Sequence, residues 1–270
     1  SVLAGHAVVD VDGSKRVRAV TITQLDGAGV AGGASRKIKC DLLAISGGWS
    51  PVVHLHSQSG SKPRFDEDKA CFVPGPSVQA ERSSGSCNGA FSLSECLEQG
   101  LAAGAEAAQA AGFGDGKLAP APTTDDIAEG PPHAMWEVPS PSQNGHGPKR
   151  FVDFQTDVTT SDILIATREG YESIEHLKRY TTSGMGTDQG KLGNVNTIGI
   201  LAHTLGTNIA SVGTTTFRPP YTPITYGAIA GRDLGDMSDP VRKTALHEWH
   251  KEAGALFENV GQWKRAWYYP

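Results

Sequence analysis

Cysteine is scarce in this chain and badly placed for chemistry. Only Cys40, Cys71, Cys87 and Cys96 occur, none of them in a C-x-x-C pair. That spacing argues against a zinc ribbon, a dithiol redox centre and a disulfide framework, and fits small buried apolar side chains in a reducing cytosol. Apolar runs are short as well. None approaches the roughly 18 residues of a membrane span, and Ser1–Asp12 has neither a basic n-region nor a cleavage-type signal. Positive charge is not in excess: 24 Lys and Arg stand against 29 Asp and Glu, a formal net charge of −5. A nucleic-acid-binding surface is therefore not expected. No Ser/His/Asp arrangement or paired-carboxylate site stands out, so no catalytic residue is assigned.

What is present is strongly regional. Gly5–Asp12 and Val17–Thr23 alternate around the Asp12-Gly13 turn signal and predict a hairpin. A third run, Lys37–Ile45, closes in C-D-L-L-A-I-S, the pattern of a buried strand, and leads into Gly47-Gly48-Trp49-Ser50-Pro51. Phe91–Ala111 predicts a helix, with Ser92 as N-cap and Gly112 beyond its end. Residues 113–150 hold seven prolines and read as an extended connection that Trp136 pins. Thr159-x-x-Asp162 is a capping-box variant opening a helix that Gly170 closes. Ser173 caps a second, Ile174–Tyr180, and Asp188–Leu205 suggests a third that Gly206 stops. Gly213–Arg232 reads as strand and polyproline conformation. Asp239-Pro240 then has the form of a helix start, with Gly254 at its end.

Several motifs invite over-reading. Gly27-Ala28-Gly29-Val30-Ala31-Gly32 matches G-x-G-x-x-G, but the dinucleotide mechanism needs a helix to follow. Here S-R-K-I-K-C-D-L-L-A-I follows, so a hairpin loop is expected. His54-Leu55-His56 would place both rings on one side of a strand with no third ligand. His247-Glu248-Trp249-His250 lacks the H-E-x-x-H spacing, and His203, in an apolar helix, reads as a core residue. No metal site is expected. Two signals carry more. The Gly48 turn follows that strand pattern at its carboxyl end, where open α/β sheets bind ligands. Gly85-Ser86-Cys87-Asn88-Gly89 precedes a helix whose first turn offers unpaired amides.

The stretch Asp153–Lys191, with V-D-F-Q-T-D-V-T, L-K-R-Y-T-T-S-G-M-G-T-D-Q-G-K-L-G-N and the turn Gly184-Met185-Gly186, resembles a bacterioferritin-associated-ferredoxin-like (BFD-like) [2Fe–2S] domain. Laid on its C-x-C and C-x4-C pattern, the ligand positions are Asp153, Gln155, Asp188 and Gly193, and none is cysteine. Such a cluster needs four soft ligands, mostly thiolates. With G-T-T-T-F-R-P-P-Y-T-P at 213–223 and V-G-Q-W-K-R-A-W-Y-Y-P at 260–270, the chain resembles the α-subunit family of heterotetrameric sarcosine oxidases over nearly its whole length.

The resemblance implies a mixed fold, α/β plus α+β, in four parts. Residues 1–112 would be the C-terminal part of a two-dinucleotide-binding-domain flavoprotein-like fold holding NAD, and 113–150 a Pro-rich linker. Residues 151–206 would be a BFD-like helical module without an iron–sulfur cluster. Residues 207–270 would open a T-protein-like tetrahydrofolate-binding domain. It implies NAD contacts at Asn88, Gly89, Leu93 and Glu95, with Gly48 on the segment that joins the nucleotide domains. Lys178 and Arg179, with Lys191 nearby, would hold the phosphate of an FMN lodged between the α and β subunits, with FAD on the β subunit. Partners would be β, γ and δ subunits and the substrate sarcosine, in the cytoplasm. The chain would then be an internal piece of a longer subunit, inactive by itself. Two alternatives stay open: a non-catalytic assembly module, and the α subunit of a related amine or amino-acid dehydrogenase, which keeps the cluster cysteines.

Overall fold

The computed structural model describes residues 2–26, 31–127, 130, 132–138, 147–219, 222–236 and 238–270. Two compact units result, Ser1–Thr222 and Pro223–Pro270. The breaks expected at residues 112, 150 and 206 all fall inside the first unit.

The first unit opens with an antiparallel meander, β1 (His6–Asp12), β2 (Ala19–Leu25) and β3 (Ala31–Lys39), in that order. Asp12 pairs with Ala19 at the expected hairpin, and β2, the central strand, buries residues on both faces, Val20 and Ile22 on one and Ala19 and Thr23 on the other. Within the glycine motif, residues 27–30 lie outside the described residues. Because β3 begins at Ala31 and pairs with β2, the motif leads into a strand rather than a helix.

The expected buried strand through Ile45 is not formed. β3 stops at Lys39, and Leu42, Ile45 and Trp49 are 77, 79 and 84% exposed. A strand needs a ladder partner for its amides and carbonyls, and beyond the Cys40 N bond to Arg18 O no described strand pairs with 41–53.

His54-Leu55-His56 lies in a short helix, α1 (His54–Gln58), not in a strand, yet both rings are buried. The hairpin β4 (Arg64–Asp66) and β5 (Cys71–Val73) follows. Then comes a 3-10 turn over Gly85–Asn88 and α2 (Leu93–Ala110), capped as expected by the Ser92 hydroxyl accepting from Glu95 N.

The densest part of the unit begins with a two-stranded ribbon, β6 (Phe151–Asp153) and β7 (Val158–Thr159). It continues through α3 (Thr160–Arg168), α4 (Ile174–Thr181), α5 (Asn194–Leu205) and α6 (Ile209–Val212). The Thr159/Asp162 capping box forms, and Gly206 closes α5 in the left-handed conformation. Helix α5 starts six residues later than the pattern suggested, because residues 188–193 are held as a turn. Ile163, Leu177 and Leu201 are fully buried at the centre of the core.

This core is not sealed off from the chain before it. Phe72 belongs to it, and Phe65 and Trp136 pack against it. Trp136 lies so close to α5 that a Cβ on Gly199 would be 2.4 Å from its ring. The Pro-rich stretch is thus pinned as expected, but the pin joins the flanking segments into one unit. His203 faces solvent rather than the core.

Of the Gly213–Arg232 stretch, expected as strand and polyproline conformation, residues 213–219 in the first unit form neither helix nor strand, and in the second unit a short helix forms, α7 (Tyr226–Ala230), capped by Thr225. The helix expected from Asp239 is confined to α8 (His247–Glu252). Arg242–Lys243 instead forms β8, paired in parallel with β10 (Trp263–Tyr268), which also pairs antiparallel with β9 (Leu256–Val260). Sheet pairing outside the local pattern takes the residues that the Asp-Pro signal assigned to a first helical turn. Gly254, at φ 81°, ends α8 as expected.

Candidate functional site

The four positions of the ferredoxin-like pattern come together. Asp153, at the end of β6, is 4% exposed. Its Oδ2 accepts from Gly184 N at 2.7 Å, and its Oδ1 accepts from Gln155 N at 2.8 Å and Thr156 N at 3.2 Å. Burial alone would raise its pKa, but those amides hold it below the ordinary aspartate value. Gln155 Oε1 accepts from Thr187 Oγ1 at 3.0 Å and Asp188 N at 3.2 Å. Asp188 accepts from Gly190 N at 3.1 Å and Leu192 N at 3.3 Å. A Cβ on Gly193 would lie 2.6 Å from Val152 O.

The donor set does not fit a [2Fe–2S] cluster. It has no thiolate; the Asp153 oxygens are committed to loop amides, and the fourth position has no room for a side chain. The same atoms instead staple the Gly184–Gly190 loop to the β6–β7 ribbon. The four cysteines are free thiols outside this module, and burial pushes the Cys71 thiol up to about 11, far from a reactive thiolate. Among the described residues no group of three His, Cys, Asp or Glu is arranged to hold a metal ion.

The basic residues divide. Arg179 turns back on its own helix, pairing with Glu175 Oε2 at 3.2 Å and donating to Glu175 O at 2.9 Å. Lys178 is half-buried; burial lowers its pKa, and the charges of Arg218 and Arg179 lower it further against the pull of Glu175. Glu175 Oε1 accepts from Thr216 N at 2.5 Å, which brings the 216–218 segment beside α4. Lys178 and Arg179 thus lie by Glu175, and Arg218 adds a third positive charge near Lys178, a local surplus of the kind suited to an anion. Arg218 was not singled out in the sequence; its Arg-Pro-Pro context points to an extended segment, and only the fold brings it here. Lys191 lies apart, beside the buried His54, whose pKa is lowered by burial and by the Lys191 charge.

At the start of α2, Asn88 donates to Gln99 Oε1 at 3.1 Å. Gly89, at φ 80°, has its carbonyl held by Lys69 Nζ at 2.6 Å, and a Cβ there would lie 2.8 Å from Val73. Leu93 and Glu95 are exposed. The Asp126 carboxylate sits on this helix terminus, accepting from Ser94 N at 3.3 Å and from the Ser94 hydroxyl. A phosphate placed at these amides must displace Asp126. Gly48 lies on the exposed 41–50 segment and is joined to neither group.

His56 is placed by structure. Its Nε2 accepts from Gly75 N at 3.1 Å, so the proton resides on Nδ1, 3.0 Å from Glu81 Oε1. Ser59 and Ser61 also donate to Glu81, each at 3.1 Å. This network ties α1 to the 75–81 loop and leaves no imidazole nitrogen for a metal. His247 packs on Phe257, and His250 meets Tyr269. No described helix is long and apolar enough to cross a membrane.

The sarcosine oxidase A3 domain family matches residues 147–232. Sarcosine oxidase subunit alpha of Corynebacterium sp. (strain P-1) is 43% identical over 274 residues, covering all of this chain and 28% of the relative. The same-named subunit of Corynebacterium sp. (strain U-96) is 45% identical over 275 residues, again covering 100% and 28%. That of Rhizobium meliloti (strain 1021) is 41% identical over 239 residues, covering 88% and 24%. The chain therefore spans between a quarter and a third of the two Corynebacterium subunits. Among solved structures, L-proline dehydrogenase from P. horikoshii superposes with a TM-score of 0.58 at 18% identity, over 83% of this chain and 44% of that one. At that identity the likeness shows the fold alone.

Proposed function

The chain belongs to the sarcosine oxidase α-subunit family, and from that premise we propose that it is a segment of the α subunit of a heterotetrameric sarcosine oxidase, an oxidoreductase. The observation that carries this reading is identity of 43 and 45% across the whole chain to two subunits so named. The complex would take sarcosine, O2 and water to glycine, formaldehyde-level carbon and hydrogen peroxide, the one-carbon unit passing to tetrahydrofolate. Two electrons and a proton leave the N-methyl group for a flavin on the β subunit; γ and δ complete the assembly. This segment would not itself perform that step.

Residues 1–112 would contribute to an NAD site, with Leu93 and Glu95 presenting exposed groups at the start of α2. Asn88 and Gly89 would shape the turn beneath them. The Asp126 contact makes the cofactor's uncharged ribose a better neighbour for this terminus than its phosphates. Residues 151–206 would be a BFD-like module that holds no cluster, and 207–270 the opening of a folate-binding domain. Lys178 and Arg179, joined by Arg218, form the cationic group fitted to an FMN phosphate. Bound NAD or FMN supplies redox chemistry; this chain's residues would bind and orient it.

The test is assembly of the full-length subunit with its partners. Sarcosine-dependent peroxide release is expected from the complex, with one NAD per α chain released on denaturation. Glu95→Ala should lower NAD content with assembly intact. It is a better probe than Gly89→Val, whose side chain would collide with Val73. Peroxide release driven by another amine but not by sarcosine would contradict the substrate assignment, and unchanged NAD in Glu95→Ala would contradict the site.

The second reading, an assembly module without chemistry, is favoured by one observation. The ferredoxin-like positions are spent entirely on internal hydrogen bonds, so the module is built to hold shape.

A further inference from the structure

The hairpin end of the β1–β2–β3 sheet carries a surplus of positive charge. Residues 10–18 and 36–41 hold six cations, Lys15, Arg16, Arg18, Arg36, Lys37 and Lys39, against three carboxylates, in a chain of formal net charge −5. The fold gathers them. Gly13, at φ 131°, closes a loop so tight that a Cβ there would lie 1.9 Å from Arg16 O, and Lys15 and Arg16 stand exposed at its tip. Arg18 N donates to Asp12 O at 2.8 Å, and Cys40 N donates to Arg18 O at 3.2 Å. That second bond sets the end of β3, with Lys39, beside the hairpin, one strand spacing of about 4.8 Å away. Lys37 pairs with Asp12. Lys15, Arg16, Arg18, Arg36 and Lys39 are exposed and make no side-chain hydrogen bond or ion pair among the described residues.

We propose that this end of the sheet is the docking surface for an acidic polypeptide segment of another subunit of the same complex. The inference rests on reading the chain as one subunit of a complex, and not on the NAD or FMN assignments. Lysines on an edge strand have a plainer use, the prevention of strand-to-strand aggregation. That would account for Lys37 and Lys39 on β3. It does not account for Lys15, Arg16 and Arg18, which lie in the β1–β2 loop, off the edge. Unpaired like charges gathered at one end repel one another, and carboxylates brought by a partner remove that repulsion. An extended polypeptide sets the side chains of one face about 7 Å apart, the i, i+2 spacing of Arg16 and Arg18 and of Lys37 and Lys39. Duplex nucleic acid carries one phosphate per about 1.7 Å, and the acidic remainder of the chain repels that density of charge. A surface of this kind acts mainly on the rate of encounter and on the choice of partner.

The experiment follows assembly of the full-length subunit with its partner subunits. Wild type and a Lys15→Gln/Arg16→Gln/Arg18→Gln/Lys39→Gln variant are diluted in low and in high sodium chloride, and dissociation is read by light scattering. In low salt the variant should dissociate at a concentration about tenfold or more above that of wild type, the loss expected for several exposed charges together. High salt should bring the two together, because screening removes what the substitutions removed. Lys62→Gln, at an exposed lysine outside this sheet, should assemble as wild type; an equal loss there would mean that net charge, not this surface, is at work, and would overturn the proposal. A second measurement needs no variant. Lys15 and Lys39 should react with an acetylating reagent several-fold more slowly in the assembled complex than in the free subunit. Identical dissociation and identical salt dependence in wild type and a folded variant would overturn the proposal. If the variant does not fold, equal acetylation of Lys15 and Lys39 in free and assembled subunit overturns it. Failure of wild type to assemble with any other subunit would overturn the subunit reading along with this one. Unchanged assembly, with a short single-stranded DNA bound by wild type and not by the variant, would give the surface to nucleic acid and overturn the proposal too.

Discussion

Two regions of one compact unit treat their apolar residues in opposite ways. Between residues 151 and 212, short helices and a ribbon bury Ile163, Leu177, Ile198 and Leu201 almost completely. Between residues 40 and 50, Leu42, Ile45 and Trp49 face solvent, and the 18 residues of α2 include none that is buried. The first region closes its core from neighbours in sequence, with Phe72 and Trp136 added. The second carries the pattern of an interior without the elements that would make it one. The lesson concerns range. The caps at Ser92, Thr159 and Gly206 are satisfied locally, whereas a buried strand needs partners that this stretch does not find.

The sharpest way to break the contrast is to truncate one leucine in each region. Leu177→Ala should destabilise the chain by about 3 kcal/mol, the cost of a buried cavity. Leu42→Ala should stay within about 0.5 kcal/mol. Urea denaturation of both variants gives the comparison, and equal losses would mean that the 40–50 segment is packed.

Next in size is the staple. Asp153→Ala leaves three loop amides without their acceptor and should cost about 2–3 kcal/mol. Its pH signature has a definite sign. The folded carboxyl titrates below its unfolded value, so its contribution is fully present above about pH 4. It is lost as the pH falls through the folded value. Asp153→Asn should therefore flatten the acid limb of a stability–pH curve below about pH 4. Parallel curves for the two proteins would show that the charge is not what holds the loop.

Gly193→Ala should cost about 1–3 kcal/mol, since its methyl group meets Val152 O and the backbone must shift. A thermal melt checks it. The smallest effect is expected at the edge of the exposed region. Ser92→Ala removes the N-cap of α2 and should cost about 1 kcal/mol or less, read as lost helical signal or earlier proteolysis within α2.

Much of this was legible in residues. The β1–β2 hairpin, the Ser92 cap, the Thr159/Asp162 box, the Gly206 stop and the pin at Trp136 follow from local chemistry and occur as expected. The four ferredoxin-like positions were also readable as a group, and the fold brings them together. What was not legible depends on contacts far apart in sequence. The Asp239-Pro240 signal lost to sheet pairing of Arg242–Lys243 with β10. His54 and His56 entered a helix whose burial comes from the 72–81 and 214–217 segments. Arg218 joined Lys178 only because Thr216 N bonds to Glu175. The Asp126 contact at α2 spans 32 residues of chain, and no spacing rule announces it.

We propose that residues 151–206 form a ferredoxin-like module without a cluster, its ligand positions serving as hydrogen-bonding staples. Iron and acid-labile sulfide, determined per α chain on the assembled complex purified without oxygen, test it most directly. The account predicts neither in stoichiometric amount, with visible absorption due to flavin alone. About two irons and two sulfides per chain, lost when Asp153 and Asp188 are replaced by alanine, would contradict it.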